Sequence, residues 1–432
     1  MLKKILILIY FLKTKYRKFS DRKSLINFQN KQLSRLAKRI SQKSFYYRNL
    51  TPQNIKTIPV INKEVMLKNF NEINTANLDL ESCFDFAEQG ENTRNFSQEY
   101  QKISIGLSSG TSGKRSLFVS DFKEQAKWAG IILAKGIDQP FWKSLKVALF
   151  LRANNNLYTT IASSKHIQFR YFDLMKPLLT LLPGLVSYQP DILVAPPTVL
   201  KLLVDKLKAK NISLIPRKIF SVAEVLDDLD RLDIESYFNQ KLHQIYQCTE
   251  GFIAITCKKG TLHLNEDQMK IEKRWLNKEK TKFSPIITDF NRFTQPVIRY
   301  LLDDILTVKK KPCSCGSVLM AIEKIEGRSG DVLYFRSKKS NKLEPVFPDV
   351  LSRLVLLADS EVSDYRLIQE TEKLLFVYLK SSNQQAKLNF SLKLRKLCIL
   401  HGFFMPDIRW IESIGKVPIE IKLRRIIRNM PL

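Results

Sequence analysis

The chain has 432 residues, 44% hydrophobic and 26% charged, with 14 Gly and 17 Pro. That composition excludes a disordered or low-complexity protein and supplies enough chain for a large core and more than one domain. Lysine and arginine exceed the acids by 29. Such an excess favours nucleic acid, anionic lipid or phosphate-bearing substrates. The charge is scattered, however, and its densest runs, at 309–311 and 422–428, carry no aromatics or motif of a nucleic-acid module.

The start, "MLKKILILIYFLKTKYRK", mimics a secretory leader. Its apolar run, Ile5 to Leu12, is short, no small-residue cleavage site follows, and the next residues are basic. It is too short to span a bilayer. A basic amphipathic helix able to touch lipid is what it supports, and a cytoplasmic protein is expected. Residues 20–50 read as helix, with Leu25, Phe28, Leu33, Leu36 and Ile40 near helical spacing. Pro52 and Pro59 interrupt before another helix. After a Gly/Ser loop, Asp121 caps a helix through "FKEQAKWAGIILAKGI". Strands follow at Leu145 to Arg152, in "DILVA", in "RKIFSVAEVL" and in "HQIYQ", alternating with helices in "PTVLKLLVDKLKAK" and "DDLDRLDIESYF". Alternation of this kind indicates a layered α/β domain. From about Glu326 the texture becomes strand-rich α+β. The expected organisation is a large layered α/β N-terminal domain over 1–327, including a helical start, and a smaller, mobile α+β C-terminal lid over 328–432.

The loop "ISIGLSSGTSGKRSLFVSD", Ile103 to Asp121, is too closely spaced in glycine for a Walker phosphate loop, and Arg115 follows Lys114. It still suits phosphate. Gly110 and Gly113 let the backbone turn with its N–H groups exposed. Ser108, Ser109, Thr111 and Ser112 offer hydroxyls, and Lys114 and Arg115 offer charge. A solvated hairpin would read the same way.

Company decides. "SSGTSGK" resembles the phosphate loop of the adenylate-forming superfamily (acyl-CoA synthetases, peptide-synthetase adenylation domains, luciferases). "SVAEVL" (Ser221 to Leu226), "YQCTE" (Tyr246 to Glu250), "TDFNRFTQPVIRYLLDD" (Thr288 to Asp304) and "EGRSGD" (Glu326 to Asp331) resemble its later motifs, in order. "TQPVIRY" and "PCSCG" are most similar to the phenylacetate-CoA ligase branch, and to uncharacterised relatives of the deazaflavin-coenzyme adenylating synthetases.

The resemblance implies a carboxylate reacting with ATP to give an acyl-adenylate and pyrophosphate. The acyl group then passes to CoA or to the thiol of an acyl-carrier protein. It implies that Ser109, Gly110, Thr111, Ser112, Gly113 and Lys114 wrap the β- and γ-phosphates. Ala223 and Glu224, in the substrate-side strand and turn, are expected among the nucleotide-binding residues. Thr249 contacts the α-phosphate, Glu250 holds Mg²⁺, and Tyr246 lies against adenine. Asp304 accepts from both ribose hydroxyls, and Arg328 approaches the ribose or the phosphates. The lid's catalytic lysine is Lys416 or Lys422, with Lys422 the better match to the branch's basic ending. Ser116 stands where many members have lysine, and Gly330 where the hinge acid usually stands, with Asp331 next. Arg299 suits a structural salt bridge as well as a ligand role. The acid's pocket is expected between residues 128–160, the 221–226 turn and the 246–256 strand, with Trp128, Ala129, Val222 and Ala223 as lining.

Six cysteines in so long a chain do not read as a disulfide framework. Cys257 and His263, with Cys313 and Cys315, make a Cys₃His set suited to a closed structural zinc site. Some members of the branch resemble this pattern and carry zinc. Cys83, Cys248 and Cys398 read as ordinary buried residues. The expected partners are a carboxylic acid, ATP, Mg²⁺ and CoA or a carrier protein, without nucleic acid; a homodimer is allowed. Two other readings stand beside this one. The first is a non-enzymatic basic protein binding nucleic acid or a membrane face; the second is a family member that binds ATP without turnover.

Overall fold

A computed structural model describes residues 2–96, 98–108, 115–138, 143–151, 167–359, 361–413 and 423–431, with only the backbone of Ser329 and Asp349. The chain opens with helices α1 (Leu2–Lys15), α2 (Arg22–Ile40), α3 (Lys63–Lys68), α4 (Phe70–Ile73) and α5 (Leu80–Asn92). Helix α2 begins at a capping box in which Asp21 and Ser24 satisfy each other's backbone N–H. Its residues Leu33, Leu36 and Ile40 pack into a core shared with Ile253, Leu264, Phe283 and Ile298. The antiparallel hairpin β1 (Ser104–Leu107) and β2 (Leu117–Ser120) follows. A second capping box, Asp121 with Glu124, then starts α6 (Phe122–Gly136).

The next strands build half of a large sheet. They are β3 (Leu145–Leu151), β4 (Ile167–Asp173), β5 (Ile192–Ala195), β6 (Lys218–Val222) and β7 (Leu242–Cys248), with α7 (Leu178–Tyr188), α8 (Pro197–Ala209) and α9 (Asp228–Phe238) between them. They lie in the order β7-β6-β5-β3-β4, all parallel. Parallel sheets need cover on both faces, and the alternation in β3 supplies it. Ala148 and Phe150 join the core under α7, α8 and α9. Val147 and Leu149 point the other way, into a core with α6 and with Phe11 of α1.

Beyond β7 the sheet turns antiparallel through β8 (Gly251–Thr256), β9 (Leu262–Leu264), β10 (Met269–Trp275), β11 (Lys282–Asp289), β12 (Tyr300–Leu301), β13 (Asp304–Val308) and β14 (Ala321–Arg328). Twelve strands thus form this sheet among the described residues.

The chain leaves the large sheet at Arg328. A 3₁₀ turn (Ser329–Asp331) leads to the hairpin β15 (Leu333–Arg336) and β16 (Leu343–Val346), then to α10 (Pro348–Ala358). Strands β17 (Asp364–Thr371) and β18 (Leu374–Lys380), helix α11 (Ala386–His401), β19 (Asp407–Trp410) and β20 (Ile426–Arg428) complete the chain. The four strands order as β19-β18-β17-β20. Their core, with Phe335, Leu351, Tyr365, Val377 and Phe390, is separate from the cores of the large sheet.

Candidate active site

In α/β sheets, ligands bind beyond the carboxyl ends of parallel strands. Strands β6 and β7 end side by side, at the seam where the sheet changes from parallel to antiparallel. After β6, Ala223 takes φ +66°, a left-handed conformation that costs a residue with a Cβ. The Glu224 N–H closes back on the Val222 carbonyl at 2.8 Å. Thr198 Oγ1 at the start of α8 donates to Glu224 Oε2 at 2.7 Å.

Strand β7 turns into β8 through Thr249 and Glu250. Glu250 accepts from two hydroxyls, Thr249 Oγ1 at 2.8 Å and Tyr300 Oη at 3.0 Å. Gly251 fits closely here: a Cβ would stand 3.0 Å from Asp289 Oδ2 and 3.3 Å from Met269 Cε, so both side chains would have to give. Asp304 opens β13 and accepts from Tyr246 Oη at 2.5 Å. The β13–β14 register sets Arg328 directly opposite Asp304. Burial, then the neighbouring carboxylates Asp304 and Glu250 respectively, push the Tyr246 and Tyr300 hydroxyls up, so both remain donors.

One cleft of about 1220 Å³ is lined by Ala223, Glu224, Tyr246, Thr249, Glu250, Asp304 and Arg328 together. The sequence reading sets the Tyr246 ring against adenine. In the fold this ring is packed into the main core, 8% exposed, and its hydroxyl holds Asp304. The ring still borders the cleft. Among the expected pocket residues, Trp128, Val222 and Ala223 line the cleft. Ala129 does not, because it faces the core under α6; residues 152–160 lie outside the described residues.

The loop at 109–114 also lies outside the described residues, as do Lys416 and Lys422. The loop's base is the β1–β2 hairpin, closed by Ser108 N–H to Ser116 O at 2.8 Å and Ser116 N–H to Ser108 Oγ at 2.7 Å. Arg115 does not add charge to the loop as the sequence suggests. Its guanidinium forks onto Glu91 of α5 at 2.6 and 2.8 Å and donates to Ser108 O at 2.8 Å, fastening the hairpin instead. Arg299 is a structural partner, paired with Glu272 at 3.0 Å.

At the hinge, Gly327 takes φ +132°, and a Cβ would meet Asp331 Oδ2 at 2.9 Å. Asp331 accepts from the Arg328 N–H at 2.8 Å and from Arg424 Nε at 2.7 Å. The acid displaced by Gly330 in sequence thus folds back onto the Gly-Arg step. Arg424, two positions after Lys422, lines the cleft.

Sequence reasoning missed several cleft residues. Asp289 lies in the Thr288–Asp304 segment, where the resemblance points to Asp304 instead. Its carboxyl is pushed up to about 6 by burial, against the Asn291 N–H and the charges of Arg292 and Lys127. Lys127 of α6, behind the cleft wall and not lining it, is lowered to about 8 by burial, with Asp289 opposing. Arg292 donates to Thr249 O at 3.1 Å, fixing the β7–β8 turn. Lys63, from α3, lines the cleft and is lowered by burial, with Glu250 opposing and Arg328 reinforcing. No local pattern marked Lys63 or Lys127, since only the fold brings α3 and α6 to the seam.

The second constellation also assembles. The ligand atoms of Cys257, His263, Cys313 and Cys315 lie within 4.8 Å of one another. Cys257 Sγ is 3.8 Å from Cys313 Sγ, and Cys315 Sγ is 3.4 Å from His263 Nε2. Tetrahedral zinc, at about 2.3 Å from sulfur and about 2.0 Å from nitrogen, sets such atoms about 3.8 and about 3.5 Å apart. Leu319 O lies 2.9 Å from His263 Nδ1, which leaves Nε2 to face the sulfurs. Gly260 and Gly316, at φ +85° and +76°, make the two turns. The donor set therefore fits a closed structural metal and would tie the β8–β9 turn to the β13–β14 connection.

With fold and cleft described, the likenesses to known proteins take on meaning. The chain has the mixed α/β fold of adenylate-forming ligases, with a large sheet and a separate C-terminal domain. Crystallised 2-hydroxyisobutyryl-CoA ligase, in the post-adenylation state with 2-HIB-AMP, superposes with TM-score 0.67 at 15% identity, covering 94% of this chain and 89% of its own. The amide bond synthetase McbA from Marinactinospora thermotolerans gives TM-score 0.53 at 11% identity, over 75% of this chain and 68% of its own. Protein CapK of Staphylococcus aureus is 28% identical over 258 residues, 58% of this chain and 54% of CapK, so the match spans about half of that relative. No protein-family model matches the sequence.

Proposed function

We propose that the protein is an ATP-dependent ligase that activates a carboxylic acid as its acyl-adenylate. The observation that carries this reading is the convergence of Glu250 and Asp304, from strands far apart in sequence, on one cleft, each held by a buried tyrosine hydroxyl. In the proposed reaction a carboxylate oxygen attacks the α-phosphorus, the bond to the β-bridging oxygen breaks, and pyrophosphate leaves. The protein then has to position two anions and offset charge on phosphate oxygens. Asp304, opposite Arg328 in the β13–β14 register and held by the Tyr246 hydroxyl, accepts from the ribose hydroxyls. Thr249 turns its hydroxyl from Glu250 to the α-phosphate. The loop at 109–114 takes the β- and γ-phosphates, and Lys422 or Lys416 approaches from the C-terminal domain. Glu250 accepts from the Thr249 and Tyr300 hydroxyls at the cleft, with the Lys63 charge near it. That suits a Mg²⁺ ligand, and the ion would neutralise charge on the triphosphate.

The domain division at 327/328 belongs to the same proposal, as do the phenylacetate-CoA ligase branch and transfer of the acyl group to CoA or a carrier-protein thiol. So do structural zinc on Cys257, His263, Cys313 and Cys315 and a cytoplasmic location. The apolar cleft wall from Trp128, Ile131, Phe169 and Val222 favours an apolar or aromatic acid.

The test is exchange of labelled pyrophosphate into ATP across a panel of carboxylic acids. Exchange is expected with at least one acid, and Glu250→Gln should lower it by about a hundredfold or more. Nucleotide binding without exchange for any acid would favour the ATP-binding member without turnover. Unaltered exchange in Glu250→Gln would remove Glu250 from the metal role.

A further inference from the structure

Helix α1 is an added layer outside α6, and the two run parallel. Lys3 Nζ donates to Gln125 Oε1 at 2.8 Å near both helix starts. Further along, Ile7, Tyr10 and Phe11 crowd Gly130, where a Cβ would lie 2.6 Å from Ile7 O and 2.7 Å from Tyr10 Cβ. At the far end Arg17 and Lys135 converge on Asp267. One face of α1 is therefore committed to the protein.

The opposite face is apolar and bare. Leu2, Ile5, Leu8, Ile9 and Leu12 are 58, 46, 42, 38 and 36% exposed, and Tyr16, just beyond the helix, is 72% exposed. At about 100° per residue, the five helical positions span an arc of about 120° on the side away from Phe11. Lys4 and Lys15 border this arc on one edge and Lys13 on the other. The first acidic residue of the chain is Asp21. An ordinary amphipathic helix puts its apolar face on the core; this one puts apolar side chains on both faces and cations between.

Charge selects the occupant. A second copy laid on this stripe would set lysine edges against lysine edges, with no acid on the helix to pair them. A bilayer surface bearing anionic headgroups accepts both features at once, acyl chains for the stripe and phosphates for the lysines. No helix among the described residues is long and apolar enough to cross a membrane, so contact would be interfacial. Exposed Leu388, Leu392, Ile399 and Leu400 on α11 share their face with exposed Arg395 and Lys396, and so form no unbroken stripe.

We propose that α1 seats the protein on anionic membrane, lying in the interface plane with Leu2, Ile5, Leu8, Ile9 and Leu12 toward the acyl chains. The net charge of +29 would by itself adsorb the protein to anionic vesicles, so the test must isolate the apolar stripe. The full chain is sedimented with vesicles of equimolar phosphatidylglycerol and phosphatidylcholine, and with phosphatidylcholine alone. The wild type should pellet with the first and not the second. The triple variant Ile5→Gln/Ile9→Gln/Leu12→Gln keeps the net charge, and its thermal midpoint reports whether it remains folded. It should lose about tenfold or more in partitioning. The control Leu388→Gln/Leu392→Gln/Ile399→Gln should bind like wild type. The proposal is overturned if the wild type does not pellet, if the α1 variant pellets equally well, or if the α11 control carries the loss instead. It is likewise overturned if light scattering finds a dimer that the α1 substitutions abolish, which would give the stripe to a second copy.

Discussion

Asp289 is buried in the cleft wall at a cost, and its partners do not cancel that cost. Its carboxyl rests at about 6 because desolvation outweighs the Asn291 N–H and the cations Arg292 and Lys127. The ordinary aspartate value lies near 4. Between about pH 4 and 6, therefore, the native protein holds a proton that the unfolded chain has released. Stability must fall as pH rises through that window and then level off. His243 works the other way, lowered to about 4 chiefly by burial, and destabilises the fold as pH drops below its ordinary value. A difference between variants cancels that contribution. Asp289→Asn keeps the shape and an acceptor for Asn291. It should be more stable than wild type at pH 7 by an amount on the order of 3 kcal/mol at most, with the gap closing toward pH 4. Denaturant unfolding across that range reads it directly, and a gap that does not change with pH would show that the burial cost is not electrostatic. An acid held this way at a cleft is a reasonable place to look for function.

At the scale of elements, the zinc-like cluster links two turns at the edge of the main core. Cys315 is exposed and Cys257 and Cys313 are half-buried, so packing alone gives little reason for four soft ligands to meet. If a metal holds them, purified protein should carry about one equivalent of zinc per chain by elemental analysis. Cys313→Ser should lose it, and chelation should lower the thermal midpoint of wild type but not of the variant. Metal-free wild type with an unchanged midpoint would reduce the cluster to reduced thiols on a surface turn. This site was legible in the sequence because Cys-x-Cys-Gly is a compact pattern and the ligand types are rare. The capped start of α6 was legible for a similar reason, since Asp121 acts within three residues of itself. Arg115 was misread because Glu91, its partner, lies on α5, twenty-four positions earlier and without a motif. Lys63, Lys127 and the α1–α6 packing were invisible for the same physical reason. Each depends on which distant element the fold lays alongside.

At the scale of the whole molecule, the C-terminal domain has its own core; among the described residues it meets the large-sheet domain where Leu229 of α9 packs against that core and Lys282 lies over Phe347, and through polar contacts at α9. Arg425 forks onto Asp230 at 2.6 and 3.0 Å, and Tyr365 Oη lies 2.7 Å from Asp227 Oδ2. Both members of the ion pair are nearly dry, with side chains 9% and 2% exposed. Asp230, then Asp227 and Asp364, hold the Arg425 charge against the desolvation that opposes it. Breaking one side of a buried pair strands the other charge, at about 3–5 kcal/mol. If the C-terminal domain is mobile, as the resemblance implies, the domains can separate and water can then solvate what is left. Asp230→Asn should therefore leave each domain folded while shifting the molecule toward arrangements in which the C-terminal domain is undocked. That shift would appear as a larger radius of gyration in solution scattering and faster proteolysis near Gly330, where the chain leaves the large sheet. Arg425→Met, which removes the cation from two acids, should do the same. If instead both variants lose cooperative unfolding of the large sheet itself, the pair supports the main core and does not latch two bodies together.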